Sequence, residues 1–172
     1  ILMFVLIYFL FEIQLTAQRF KSELFTGLST SQIDGDTQKG FDKLGFYSGV
    51  SVATEFTKVL GGKIELYYIG KGAKQSSNGY EIFKTKLHYV EMPLMLTIKP
   101  IDKFEFDLGL AAAYLISGTL YEYEAEVPDG LVDINNFDFC AIVSALYFFN
   151  NHLGLNIRMD YSFTPVKNNP NW

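Results

Sequence analysis

Nine charged residues pose the chemical question. Glu55, Lys63, Glu65, Lys71, Glu91, Glu105, Asp107, Arg158 and Asp160 all fall on the polar side of an alternating apolar–polar pattern. Carboxylates held close together could form a general acid–base pair, and mixed charges could line a translocation path. The same set could also be an internal salt-bridge network, because buried charges need partners whatever their function. Strands that close into a small barrel leave an interior just wide enough for side chains, which favours the network, with Arg158 against Glu91 and Glu65 at its centre and Asp160 counted with them.

Other chemistry-bearing residues give less. His88 and His152 have no Ser or Asp at a recognisable spacing, so no general base is expected and the chain does not read as an enzyme. Asp34, Asp36 and Asp42 begin like a calcium loop, but the terminal Glu and the other ligand positions are missing, so a solvated turn is expected. Cys140 is the single cysteine; it cannot form an internal disulfide and reads as a small residue on a strand face. No Cys/His cluster has metal spacing, and no cofactor is expected. The net charge of −5 is scattered without a basic stripe, which argues against nucleic acid as a partner.

The elements that must position these charges are strands. Phe and Tyr are abundant (16 and 11), which suits sheets better than helices. Alternation predicts strands over 19–32, 46–57, 63–71, 84–99, 103–123, 137–149 and 152–163. In the last of these Leu153, Leu155, Ile157, Met159, Tyr161 and Phe163 oppose Gly154, Asn156, Arg158, Asp160 and Ser162. Pro93 predicts a bulge or a local gap in pairing. The sixth strand is apolar on both faces, and its parity is not assigned. Short links ("KVLGG", "KPIDK", "NNH") alternate with long polar ones ("IDGDTQKGFDKLG", "GAKQSSNGYEIF", "EAEVPDGLVDINN"). That asymmetry is expected of transmembrane barrels, with short periplasmic turns and longer outside loops.

The polar parity is rich in small residues, among them Gly27, Ser29, Gly49, Ser51, Ala53, Gly109, Ala111 and Ala113. Small side chains mixed with isolated charges fit a narrow, filled lumen, and the apolar parity then faces lipid. Tyrosines such as Tyr68, Tyr114 and Tyr161 could supply interfacial girdles. The chain opens with an apolar run over 1–11 followed by small residues, which predicts a signal peptide over 1–17, incomplete at its start and cleaved after Ala17. Residues 18–172 form the barrel domain. The expected fold is an all-β, antiparallel, up-and-down transmembrane β-barrel. Eight strands are expected at full length and about seven here, with truncation at the C-terminus the expected cause.

The stretches "GLSTSQIDGDTQKGFDKLGFYSGV", "KIELYYIGKGAK", "LHYVEMPLMLTIKP" and "FEFDLGLAAAYLISG" resemble the PorT-like outer-membrane β-barrel family of the Bacteroidetes. The marks are Gly27, Ser31, Gly35, Asp36, Gly45 and Phe46; then Glu65, Leu66, Tyr68, Lys71 and Gly72; then Tyr89, Glu91, Pro93 and Leu94. The resemblance implies a small outer-membrane barrel, usually of eight strands, and departs from the family at the closing strand. The expected role is structural or interactive, in contact with outer-membrane lipid and with envelope or secretion proteins. The alternative is a soluble periplasmic, lipocalin-like barrel that holds a small apolar ligand, with its apolar face inward.

Overall fold

Alternation of this kind builds a sheet whose two faces differ, and the chain forms one. In a computed structural model, residues 20–31, 43–77, 80–122, 125–126 and 135–165 are described. They form β1 (Lys21–Ser31), β2 (Lys43–Glu55), β3 (Leu60–Ser77), β4 (Tyr80–Ile101), β5 (Phe104–Glu122), the two-residue β6 (Ala125–Glu126), β7 (Phe137–Phe148) and β8 (Gly154–Ser162). The order in the sheet is β1-β2-β3-β4-β5-β7-β8, with β6 on β5 alone. All pairings are antiparallel. This is an up-and-down meander of seven main strands. Among the described residues β1 and β8 are its outer strands and are not paired with each other. The sheet curls into a half-barrel, because Arg158 of β8 reaches Glu65 of β3 across the interior. The signal-peptide segment and the aspartates of the 33–42 loop lie outside the described residues.

The two faces separate as the parity predicts. Leu24, Leu28, Val50, Leu66, Leu94, Leu110, Val143, Leu155, Ile157 and Met159 are exposed on the convex side. Ser51, Lys63, Glu65, Glu91, Met95, Thr97, Glu105, Asp107 and Ala111 are buried on the concave side. A soluble ligand-binding barrel has the reverse arrangement, with its apolar face inside, so the lipocalin-like alternative fails on orientation. β7 resolves the one unassigned parity: Asp138, Cys140, Ile142, Ser144 and Leu146 point inward. Its outward residues include Phe137, Phe139 and Val143, so the strand is apolar on one face and mixed on the other.

Local chemistry explains the links. Between β2 and β3, the Thr57 hydroxyl accepts from the backbone N–H groups of Val59 (3.2 Å) and Leu60 (2.9 Å). Between β7 and β8, Asn150 Oδ1 accepts from His152 N–H (2.8 Å) and Leu153 N–H (2.9 Å). Side-chain oxygens of this kind replace backbone acceptors in tight turns. The β3–β4 link differs from its expectation as a long polar loop. Both strands continue to a Ser77–Tyr80 pair, so most of "GAKQSSNGYEIF" is ladder. The Asn78-Gly79 pair between them is a strong hairpin signal that the composition of the stretch concealed. Pro93 keeps register with Ala111 of β5. On the β3 side the ladder skips from the Ile64–Leu94 pair to the Tyr67–Glu91 pair without changing register, so the proline produces a gap and not a bulge.

Two glycines explain why small residues crowd the inner face. A Cβ on Gly49 would lie 2.3 Å from Tyr67 Cβ, and one on Gly109 would lie 2.2 Å from the Leu94 carbonyl oxygen. The backbones approach too closely there for any side chain, and the Tyr67 and Met95 side chains occupy the volume instead.

Candidate functional site

The concave face gathers most of the charged side chains among the described residues, and its contents fall into three groups. The first lies near the short turns. The Lys63 ammonium pairs with Glu105 in a very short contact and with Asp107 Oδ2 at 3.1 Å. Asp107 also accepts from Thr97 Oγ1 (2.7 Å) and Ser144 Oγ (2.9 Å). Lys99 pairs with Glu105 at 2.9 Å and with Glu55 at 3.6 Å, and Glu55 pairs with Lys21 at 2.6 Å. The chain of charges therefore runs from a buried centre, where Lys63 and both its carboxylates are nearly inaccessible, to an exposed rim at Lys21 and Glu55.

The second group is built on Arg158. Its Nη2 donates to Glu65 Oε2 at 2.6 Å, and its side chain is 8% exposed. The guanidinium lies 5.1 Å from the Tyr67 ring centre and 5.7 Å from that of Phe25, so it packs against two adjacent rings as well as being ion-paired. Phe25, Tyr47 and Tyr67 form a cluster of tilted and edge-on rings 5.8–6.4 Å apart. Arg158 Nε and Nη1, Asn156 Oδ1 and Asp160 Oδ1 are buried without a protein hydrogen-bond partner.

The third group lies toward the long links. Glu91 is fully buried, pairs with Lys71 at 2.5 Å and accepts from the Tyr67 hydroxyl at 2.5 Å. Cys140 Sγ donates to Asp138 Oδ2 at 3.3 Å, Lys71 Nζ lies 3.8 Å from that sulfur, and the Ser162 hydroxyl donates to Asp138 in a very short bond.

Of the residues singled out in the sequence, Glu65 and Arg158 are brought together, and Glu91 and Asp160 are not part of that pair. Glu91 belongs to Lys71 and Tyr67. Glu91 stands opposite Tyr67 on the β3–β4 ladder, two residues along β3 from Glu65, so it meets the Tyr67 hydroxyl and Lys71 while Arg158 meets Glu65 and packs against the Tyr67 ring between them. Asp160 is inward, as its parity predicts, but among the described residues it forms no ion pair, and its Oδ1 is buried without a hydrogen-bond partner. Sequence reading missed Lys99, Tyr67 and Asp138. Asp138 is the sole acid in β7, and its presence there was the available clue to that strand's inward face.

The arrangement stores charge rather than presenting it. Each lysine and arginine above is already engaged with a carboxylate. Among the described residues no group of three or more His, Cys, Asp or Glu is placed to hold a metal ion. His88 lies on the convex face against Tyr68, and His152 lies in the exposed β7–β8 turn.

Compared with known families, residues 13–168 match the model of the outer membrane protein beta-barrel domain. The match spans nearly the whole chain, and the chain belongs to that family. No curated protein and no solved structure was found to match it.

Proposed function

We propose, from its membership of the outer-membrane barrel family, that this protein is a plugged, non-catalytic module with a structural or interaction role. Within that role it serves secretion or envelope assembly as an accessory, in an envelope of the Bacteroidetes type. Its location is the outer membrane, and the convex apolar band is the surface that meets lipid there. One observation carries the functional reading: the interior is filled by side chains whose cations each hold a carboxylate, from Glu55 and Lys99 at one end through Lys63, Asp107, Arg158 and Glu65 to Lys71 and Glu91, with Asp160 left outside this pairing. A solute path needs charges that can exchange partners with the solute. A catalytic pair needs a carboxylate free to take or give a proton. The PorT-like marks support the narrower assignment, since they occur in order and with family spacing along the chain.

Two measurements test this. In planar bilayers the refolded chain is expected to give no stepwise conductance; steady channels would refute the plugged reading. Crosslinking in intact outer membranes followed by pull-down is expected to recover defined envelope or secretion proteins. Recovery of only abundant porins and lipoproteins in proportion to their abundance would refute the interaction role.

A further inference from the structure

The convex face carries one feature that a purely apolar band does not require. The outward stripe of β4 runs Ile98, Leu96, Leu94, Met92, Val90, and then changes to His88 and Lys86. Ile98 and His88 are ten residues apart, which at about 3.3 Å per residue and a tilt of about 40° is roughly 25 Å of height, the height of the apolar band. His88 and Lys86 therefore sit where hydrocarbon gives way to headgroups. They lie at the end away from the short turns, which is the outer leaflet.

Their neighbours fix their positions. The Tyr68 hydroxyl and His88 Nδ1 are 2.5 Å apart, and the two rings stack at 5.8 Å and 15°. Lys86 Nζ lies 4.9 Å from the centre of the Tyr121 ring. Across the ladder from His88 and Lys86 stand Gly70 and Gly72 of β3. A Cβ on Gly70 would make ordinary contact with the Phe46 backbone (3.8 Å) and His88 Nδ1 (3.9 Å), so there is room for a methyl group and no clash. Gly72 has a φ of 151°, which favours glycine, and it is buried against Ser31 of β1, whose hydroxyl accepts from its N–H at 2.9 Å and donates to its carbonyl at 2.7 Å.

The geometry points to a binding site on the outer-leaflet side of the β4 surface for the phosphate group of a lipid, held by Lys86, whose ammonium lies over the Tyr121 ring of β5, with the Tyr68–His88 pair on the β3 side of the same stripe. A compact ammonium is a suitable point charge for phosphate. Phosphate is the anion that lipid headgroups present at this height, and the protein's own net charge of −5 disfavours anionic lipid being gathered non-specifically. This inference rests on the outer-membrane location alone and not on the partner reading above.

The test uses the full chain refolded into phosphatidylcholine vesicles that contain a minor fraction of phosphatidic acid or, separately, of oleic acid. After mild detergent extraction, the lipid retained by the folded protein is measured by mass spectrometry. The wild type is expected to retain phosphatidic acid about fivefold better than Lys86→Gln, the scale of one cation at a charged surface. Oleic acid is not expected to be enriched, and excess inorganic phosphate is not expected to displace the lipid. Equal retention by Lys86→Gln, equal enrichment of oleic acid, or displacement by inorganic phosphate would each overturn the proposal. Should Lys86→Gln fail to fold, Tyr68→Phe decides alone: it keeps the ring, and undiminished retention would overturn the assignment.

Discussion

Lys63→Met gives the sharpest test of how the interior is held together. Lys63 bridges Glu105 and Asp107, and all three are buried. Its removal treats the two carboxylates differently. Glu105 keeps Lys99 at 2.9 Å. Asp107 keeps the Thr97 and Ser144 hydroxyls but loses its cation. Removing one member of a buried pair costs about 3–5 kcal/mol, because the other charge stays desolvated. With one of two carboxylates still served, the lower end applies, about 3 kcal/mol. Lys21→Met breaks a pair whose side chains are 54% and 44% exposed, and such pairs contribute about 0–1 kcal/mol. In the double variant Lys63→Met, Asp107→Asn, the orphaned charge is gone and the two hydroxyls retain an acceptor, so about half the loss should return. The assay is urea-driven unfolding in lipid vesicles, followed by the shift between folded and unfolded bands on unheated gels. A Lys63→Met loss no larger than that of Lys21→Met would refute the buried-hub argument. So would a double variant no more stable than Lys63→Met.

Three further outcomes are expected with the same assay. Arg158→Leu should cost about 3–5 kcal/mol by stranding Glu65, whereas Asp160→Asn should cost nothing or stabilise, since its carboxylate has no ion pair to lose; equal losses would contradict the assigned pairing. Leu110→Arg places a cation near the midplane of the lipid-facing band and should cost about 2–4 kcal/mol; a neutral result would put the apolar face out of contact with lipid. Gly49→Ala should destabilise by about 1–3 kcal/mol, because its Cβ would collide with Tyr67 and the Leu66 carbonyl, while Gly70→Ala should leave the unfolding midpoint in place; a reversed order would be inconsistent with the close approach of β2 and β3.

The fold was legible because a period of two carries face information directly. Leu153 to Phe163 could be divided into outward and inward sets without any structure, since successive strand residues must point to opposite faces. The small inward residues were legible as a group, but the reason for each was not. That Gly49 underlies Tyr67 and Gly109 underlies Met95 depends on which residues stand opposite, and register is not visible in one strand alone. Composition misled where it replaced pattern: "GAKQSSNGYEIF" is polar enough for a loop, yet its residues pair from Gly72 with Lys86 up to Ser77 with Tyr80. β7 resisted reading because Phe, Ala, Ile and Val serve on either face, leaving Asp138 and Ser144 as the markers of the inside.

The candidate site was legible as a list of charges and not as pairs, and stagger explains the difference. The ladder aligns Arg158 with Ser144, Asp107, Thr97 and Gly61 in one continuous row. Yet Arg158 meets Glu65, four residues past Gly61 on β3. Lys63 behaves alike: Asp107's row reaches β3 at Gly61, and the lysine that meets Asp107 stands two residues further on. Four pairings separate β8 from β3 and two separate β5 from β3, so the offset is about one residue per strand in both cases. A tilted, rolling sheet produces this displacement, because level across the interior is not level along the hydrogen bonds. Partners across the lumen are thus chosen by the shear of the whole sheet. Alternation tells each charge which way to face, and only the accumulated stagger decides which charge it will find there.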